Sequence, residues 1–160
     1  MTDTLEKNTD GTVDVATRQH WISVLSRSSS NELCAYWEDL SPGLTYSMLR
    51  QPETGLVMVR ARAGGKGQRF NLGEASVTRC SVSMETGEVG HGYVTGRNKR
   101  HAEMAAAFDA LLQNENWTAR LLENVIAPID ERLQKSKNER QAKVASTKVD
   151  FFTMVRGEDE

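Results

Sequence analysis

Large apolar residues between positions 21 and 40 recur with helical spacing. Two short helices are marked by apolar positions three, four or seven residues apart: Trp21, Val24 and Leu25 in the first, and Leu33, Trp37 and Leu40 in the second. The polar stretch SRSSSN separates them, and SPG at residues 41–43 ends the second. A pair of amphipathic helices is therefore predicted near the N-terminus.

After residue 43 the period becomes that of β-strands. Four segments, LTYSMLRQ, GLVMVRARA, ASVTRCSVSM and EVGHGYV, alternate in polarity or are rich in β-branched residues, and PETG, GGKGQ and ETG separate them as turn signals. They predict a meander of about four antiparallel strands. Val57, Val59 and Ala61 alternate with Arg60 and Arg62, so one sheet face should be apolar and covered by helices, and the other cationic.

Helical spacing returns after residue 96. A first helix has the apolar stripe Met104, Ala105, Phe108, Leu111 and Leu112, and a second, interrupted at Pro128, has Leu121, Leu122, Val125 and Ile126. The polar helix that follows has few large apolar side chains. The predicted fold is α+β, a roughly four-stranded antiparallel sheet with helices on one face. Residues 1–15 are predicted to be a flexible acidic tail, 16–147 one domain with a helical extension, and 148–160 an interaction arm.

Composition and charge narrow the functional classes. The chain has 160 residues and a net charge of -2, and no apolar run approaches the roughly 20 residues that span a bilayer. The N-terminus lacks the pattern of a secretory signal, so a cytoplasmic location is expected. From Arg50 to Arg100 there are nine Lys and Arg against four Glu. This middle region favours anions, but its excess charge is small for a general nucleic-acid binder.

Metal and phosphate motifs are missing from the sequence. Two distant cysteines, Cys34 and Cys80, form no CxxC pair, and the three histidines have no ligand spacing, so we predict no metal or cofactor in this chain. Both cysteines are predicted to be buried thiols. AGGKGQRF lacks the Ser or Thr and the following helix of a P-loop, which favours a hairpin turn. Lys66 and Arg69 remain candidates for a surface anion contact.

The block GRNKRHAE at residues 96–103 places cations at the start of a helix. Arg97, Lys99 and Arg100 add full charges to the partial positive charge of the free N–H groups, and His101 begins the buried stripe. A phosphate or carboxylate would neutralise this cluster. A solvated basic turn is the structural alternative, because each exposed charge there costs only a few tenths of a kcal/mol.

The end of the chain carries residue types that are enriched at protein interfaces. Five of them follow a polar helix: Phe151, Phe152, Met154, Val155 and Arg156. Chain termini are normally polar and frayed, so a contact with another subunit is favoured over burial in the parent domain. No catalytic Ser-His-Asp or Cys-His arrangement can be inferred. These features indicate a subunit of an assembly.

The segments ATRQHWISVL, ETGLVMVRARAGGKGQRFNLGEASVTR, GRNKRHAE, IAP and VDFFTMVRG together resemble the PhnG family, the G subunit of the bacterial carbon-phosphorus lyase core complex. The likeness runs from Ala16 to Gly157. Its most specific parts are GRNKRHAE and the ending VDFFTMVRG. Asn98 stands where the family is expected to carry Asp more often, and Asn also caps a helix.

The resemblance implies a cytoplasmic subunit that works in phosphonate catabolism and phosphorus assimilation. Its expected partners are the H, I and J subunits and an ATP-binding-cassette subunit, with two copies of this chain per core. With H, I and the cassette subunit, it is expected to help transfer the ribose triphosphate of MgATP to methylphosphonate with release of adenine. Catalytic residues are expected on the I subunit, and the iron-sulfur cluster and S-adenosylmethionine on J.

Under this resemblance, Arg97, Lys99, Arg100 and His101 are candidates to face phosphate or phosphonate oxygens, and this chain itself carries no predicted catalytic or metal-binding residue. A purely structural scaffold without substrate contact is the first alternative. A small RNA-binding module is a weaker one, since aromatic residues make up only 6% of the chain and no aromatic pair alternates along a strand.

Overall fold

The computed structural model describes residues 13–40 and 43–147. Helix α1 spans Val15–Arg27, and Asp14 caps it by accepting hydrogen bonds from the backbone N–H groups of Ala16 and Thr17 at 3.0 and 3.1 Å. Helix α2 spans Ser30–Leu40. Both predicted N-terminal helices are confirmed. The predicted tail up to residue 12 and the interaction arm at 148–160 lie outside the described residues.

The described sheet has three antiparallel strands in the order β1-β2-β3: Tyr46–Arg62, Arg69–Met84 and Val89–Thr95. The prediction of four strands is wrong because LTYSMLRQ and GLVMVRARA form one continuous strand through PETG. Pro52 lies within the irregular pairing between Arg50 and Glu53, on a strand at the edge of the sheet. An edge strand with a bulge is where proline is tolerated, since its missing N–H interrupts no ladder there.

Helix α3, Lys99–Leu111, packs across all three strands. Its closest approach is to β3, where a Cβ on Gly90 would lie 2.0 Å from the Ala106 carbonyl oxygen and one on Gly92 would lie 1.9 Å from that of Ala102. Alternate glycines on the strand therefore meet small residues one turn apart on the helix. The backbones come closer than any strand side chain would permit.

A second helical layer follows α3. Helix α4 spans Glu115–Leu121, a π-helical turn covers Leu122–Ile126, and helix α5 spans Ala127–Ser146. Pro128 lies in the first turn of α5, which suits a residue without a donor N–H and explains why the interruption falls just before it. In the described part of α5, Ile129 is buried and Leu133 partly so, whereas every residue from Gln134 onward is exposed.

The core lies between the sheet and the helices. Its largest fully buried side chains come from all layers: Trp21, Phe108, Leu25, Leu33, Met104, Leu112, Leu121 and Ile129. On β2, Cys80, Val82 and Met84 face this core. Val57 pairs with Ala75, an odd-numbered residue of β2, and so lies on the sheet face opposite the core. Val59 is on the same face and is 37% exposed. The prediction that this side of the segment faces the helices is therefore wrong. Among the described residues, no helix has the length and apolar character needed to cross a bilayer.

Candidate functional site

The GRNKRHAE block adopts the predicted turn and helix start. Gly96 has a φ of 97°, its N–H donates to the Ser76 carbonyl at 2.8 Å, and its own carbonyl accepts from the Thr78 hydroxyl at 2.7 Å. Asn98 caps α3 by accepting a hydrogen bond from the His101 backbone N–H at 3.0 Å. The entry to α3 is therefore held against β2, and the first helical turn has a defined direction.

The three cations of this block differ in their surroundings. Arg97, Lys99 and Arg100 are all exposed, but Arg100 pairs with Glu103 one turn along the helix, at 3.2 Å. Partial burial disfavours the charge of Arg100, yet contacts with Cys34 and Glu103 outweigh this and raise its pKa. Within residues 13–40 and 43–147, the side chains of Arg97 and Lys99 have no ionic or hydrogen-bonding partner. They are the two cations of the block left open to an external anion.

His101 is placed apart from these cations. It is 8% exposed, and its Nε2 lies 2.9 Å from the Leu25 carbonyl oxygen and 3.4 Å from the Ser28 hydroxyl. Since a carbonyl can only accept, Nε2 must carry the proton. This contact ties the start of α3 to the end of α1, so in the folded chain His101 acts as a structural histidine.

A polar cluster lies beside this helix start. The Tyr46 hydroxyl donates to Glu103 Oε1 at 2.7 Å, the same oxygen that faces Arg100. Burial, together with this acidic neighbour, raises the pKa of Tyr46 to about 12. Trp37 stacks edge-on to Tyr46 with ring centroids 5.5 Å apart. Glu103 therefore joins β1 to α3 and partly neutralises Arg100.

Asp109 is a buried carboxylate that the sequence did not single out. It is fully buried and receives hydrogen bonds from Arg18 Nη2 at 2.7 Å, from Trp21 Nε1 at 2.8 Å and from the His91 backbone N–H at 2.9 Å. These donors come from α1 and β3. The sequence signal that could have identified Asp109 is its position as the one acid in AAAFDALL, because an acid within an apolar helical stripe needs buried partners.

The two other histidines and the GGKGQ turn have ordinary structural roles. The His91 side chain is exposed and shares a 3.0 Å hydrogen bond with the Ser81 hydroxyl, and His20 lies 3.5 Å from Asp130. The GGKGQ turn closes a hairpin, as predicted, with Gly64 and Gly65 at positive φ, and Lys66 is exposed at its tip. The five C-terminal interface candidates, Phe151, Phe152, Met154, Val155 and Arg156, lie outside the described residues.

The two cysteines and the acidic residues form no metal-binding constellation in the described parts of the chain. Cys80 is buried, as predicted, with its sulfur 3.4 Å from the Arg50 carbonyl oxygen, and burial raises the pKa of its thiol. Cys34 is only partly buried, and its thiol contacts Arg100. The prediction of two buried thiols is therefore right for one of them.

Comparison with known proteins identifies the family of the chain. The family model described as phosphonate metabolism protein PhnG matches residues 16–157. Alpha-D-ribose 1-methylphosphonate 5-triphosphate synthase subunit PhnG of Rhizobium meliloti (strain 1021) is 44% identical over 145 residues, which cover 91% of this chain and 92% of that protein. The match contains every described residue of the candidate site. The chain therefore belongs to the PhnG family of phosphonate metabolism proteins.

Proposed function

We propose that this chain is an accessory subunit of an alpha-D-ribose 1-methylphosphonate 5-triphosphate synthase. The observation that carries this proposal is the 44% identity, over nine-tenths of both chains, to a relative that bears that name. In this proposal the chain works with H, I and an ATP-binding-cassette subunit of the carbon-phosphorus lyase system. MgATP and methylphosphonate are the substrates, and the J subunit completes the core.

The reaction exchanges one bond at the anomeric carbon of ribose. A phosphonate oxygen forms a bond to this carbon as the bond to the adenine nitrogen breaks, and adenine leaves with a proton. Water at the same position would give hydrolysis instead. We propose that this chain shapes the catalytic surface of the I subunit so that water is excluded and the phosphonate is positioned.

The geometry of the described residues supports an accessory role. The buried acid Asp109 and the buried His101 are both engaged in bonds that join helices and strands. Within the GRNKRHAE block, the groups open to an external ligand are the cations Arg97 and Lys99. A helix start with two such cations suits phosphate or phosphonate oxygens that arrive from a neighbouring active site.

A scaffold without substrate contact is the second candidate. It is favoured by the burial of His101 and by the Arg100–Glu103 ion pair, which together remove two of the four predicted anion-facing side chains from an open site. In that case Arg97 and Lys99 would meet carboxylates of a partner subunit.

The double variant Arg97→Ala/Lys99→Ala separates the two candidates. Substrate contact predicts that the complex still assembles but forms ribose 1-methylphosphonate 5-triphosphate at least about tenfold more slowly, since each charge-assisted hydrogen bond contributes about 1.5–3 kcal/mol. Scaffolding predicts loss of co-purification. The exposed pair Lys135→Ala/Lys137→Ala on α5 is the control. The accessory role itself would be refuted if the co-expressed subunits released adenine at an unaltered rate when this chain is omitted.

A further inference from the structure

Residues 55–73, which we call the β-arm, form the distal part of the β1–β2 hairpin. Strand β3 pairs with β2 only from Val77 to Ser83, so in the described sheet the β-arm is a two-stranded ribbon with both edges open. At about 3.3 Å per residue, the β1 part (residues 55–62) extends roughly 26 Å and the β2 part (residues 69–73) roughly 17 Å. All of its residues except Val57 and Ala61 are exposed.

The β-arm displays an unusual number of large apolar side chains. Five are exposed in the described structure: Leu56 at 63%, Met58 at 53%, Val59 at 37%, Phe70 at 45% and Leu72 at 63%. A two-stranded ribbon in water is at best marginally stable on its own. The register puts Leu56 and Met58 on one face and Val59 and Phe70 on the other, so both faces carry exposed apolar side chains, which is typical of an interaction site. Covering these side chains would both remove them from water and hold the ribbon in register.

The charge of the β-arm has one sign. Arg60, Arg62, Lys66 and Arg69 all lie within it and are exposed, and the segment contains no Asp or Glu. The rest of the chain is correspondingly acidic, since the whole carries a net charge of -2. A surface that fits the β-arm must therefore combine apolar contact with carboxylates.

We propose that the β-arm docks into an apolar groove lined by carboxylates on a partner subunit. Leu56 and Met58 project from the same face by strand alternation and would fill the groove, while Arg60 and Arg62 would pair with its acidic rim. Nucleic acid fits less well, because phosphates match the cations but leave the aliphatic side chains in water, and Phe70 is the single aromatic residue of the β-arm that could stack on a base.

This inference rests on the proposed assembly, and its test uses the co-expressed subunits of the phosphonate system named above. The variant Leu56→Ser/Met58→Ser should lower the affinity of the chain for its partners at least about tenfold, as expected on losing central apolar contacts. The matched control, Val15→Ser/Val144→Ser, removes two apolar side chains outside the β-arm that are at least as exposed (63% and 65%) and should retain the partners. Circular dichroism of each isolated chain confirms that both variants fold. Normal co-purification of the β-arm variant overturns the proposal.

Charge reversal gives an independent readout. Arg60→Glu/Arg62→Glu should abolish partner retention, whereas Lys135→Glu/Lys137→Glu on α5 should preserve it. Equal losses in the two variants would contradict a specific role of the β-arm. Nucleic acid that co-purifies with the wild type and is lost from the β-arm variant would reassign the surface to a nucleic-acid partner. A dimer of the isolated wild type that becomes monomeric in the variant would reassign it to a second copy of this chain.

The same preparation distinguishes a failure of the docking proposal from a failure of the proposed function. A complex that retains its subunits but releases no adenine would refute the synthase role. The docking proposal would then still be tested by whether the β-arm variants retain the partner subunits. A wild-type chain that retains no partner would overturn the assembly and the docking proposal together.

Discussion

The Asp109 carboxylate accepts four hydrogen bonds from three residues of two other elements. Its charge is compensated by Arg18, whose side chain is 31% exposed, and its remaining lone pairs accept from the Trp21 indole and the His91 backbone. An ion pair of this kind adds little net free energy relative to an apolar core, but removing one partner leaves a buried charge without compensation. Asp109 therefore fixes how α1, β3 and α3 meet.

Replacing Arg18 by Met should destabilise the chain because it leaves the Asp109 carboxylate buried without a cation. We expect the free energy of unfolding to fall by about 3 kcal/mol. Arg27→Met on the same helix is the control, since Arg27 is exposed and among the described residues bonds only to Ser23, and it should cost less than about 1 kcal/mol. Urea unfolding measures both. Equal midpoints for the two variants would contradict the role assigned to Asp109.

The raised pKa of Tyr46 predicts that the folded chain loses stability in alkaline solution. Its pKa is raised from 10.0 to about 12 in the folded chain, so between these values the unfolded chain has released a proton that the folded chain still holds. Stability should therefore fall as the pH rises from about 10 to about 12. Tyr46→Phe should lose stability less steeply over this range, as measured by unfolding at a series of pH values. Parallel curves for the two proteins would show that Tyr46 titrates normally.

At the scale of elements, the approach of α3 to β3 depends on two glycines. Gly92→Ala would put its Cβ 1.9 Å from the Ala102 carbonyl oxygen, and backbone atoms cannot move aside cheaply. We expect a loss of about 1–3 kcal/mol, the range for overpacked sites. Gly55→Ala is the matched control because it has open space around it, and it should be neutral or slightly stabilising. Thermal unfolding that leaves both variants unchanged would refute the close packing.

The sequence predicted the elements more accurately than their contacts. Helical spacing of the large apolar residues located α1, α2 and α3, although α3 is buried on all sides from Met104 to Leu111. The strand count was wrong because Pro52 reads as a break, whereas an edge strand accommodates it at a bulge. The partners of Asp109 lie up to 91 residues away, so periodicity and spacing carry no signal for them. The positions of Arg97 and Lys99 were predictable because capping at Asn98 is local.

At the scale of the whole molecule, the described chain divides into a covered core and exposed projections. The core is built by α1, α2, α3, α4, the π-helical turn, the first turn of α5, β3, and the halves of β1 and β2 that lie nearest β3. The β-arm and the part of α5 beyond Leu133 extend from it with exposed side chains. The sequence did not predict the β-arm as a projection, because alternating apolar residues read as a half-buried strand whether or not a helix lies above them.

A subunit held by two separate segments should lose most of its affinity when either is removed, because each contact makes the other intramolecular. We expect deletion of residues 148–160, which include Phe151 and Phe152, to weaken partner binding at least about a hundredfold. The melting temperature of the isolated chain should not change, which distinguishes an interface segment from part of the core. Deleting the acidic residues 158–160 alone is the control and should leave binding intact. Full retention of partners after the longer deletion would show that the β-arm, or another surface, is sufficient for assembly.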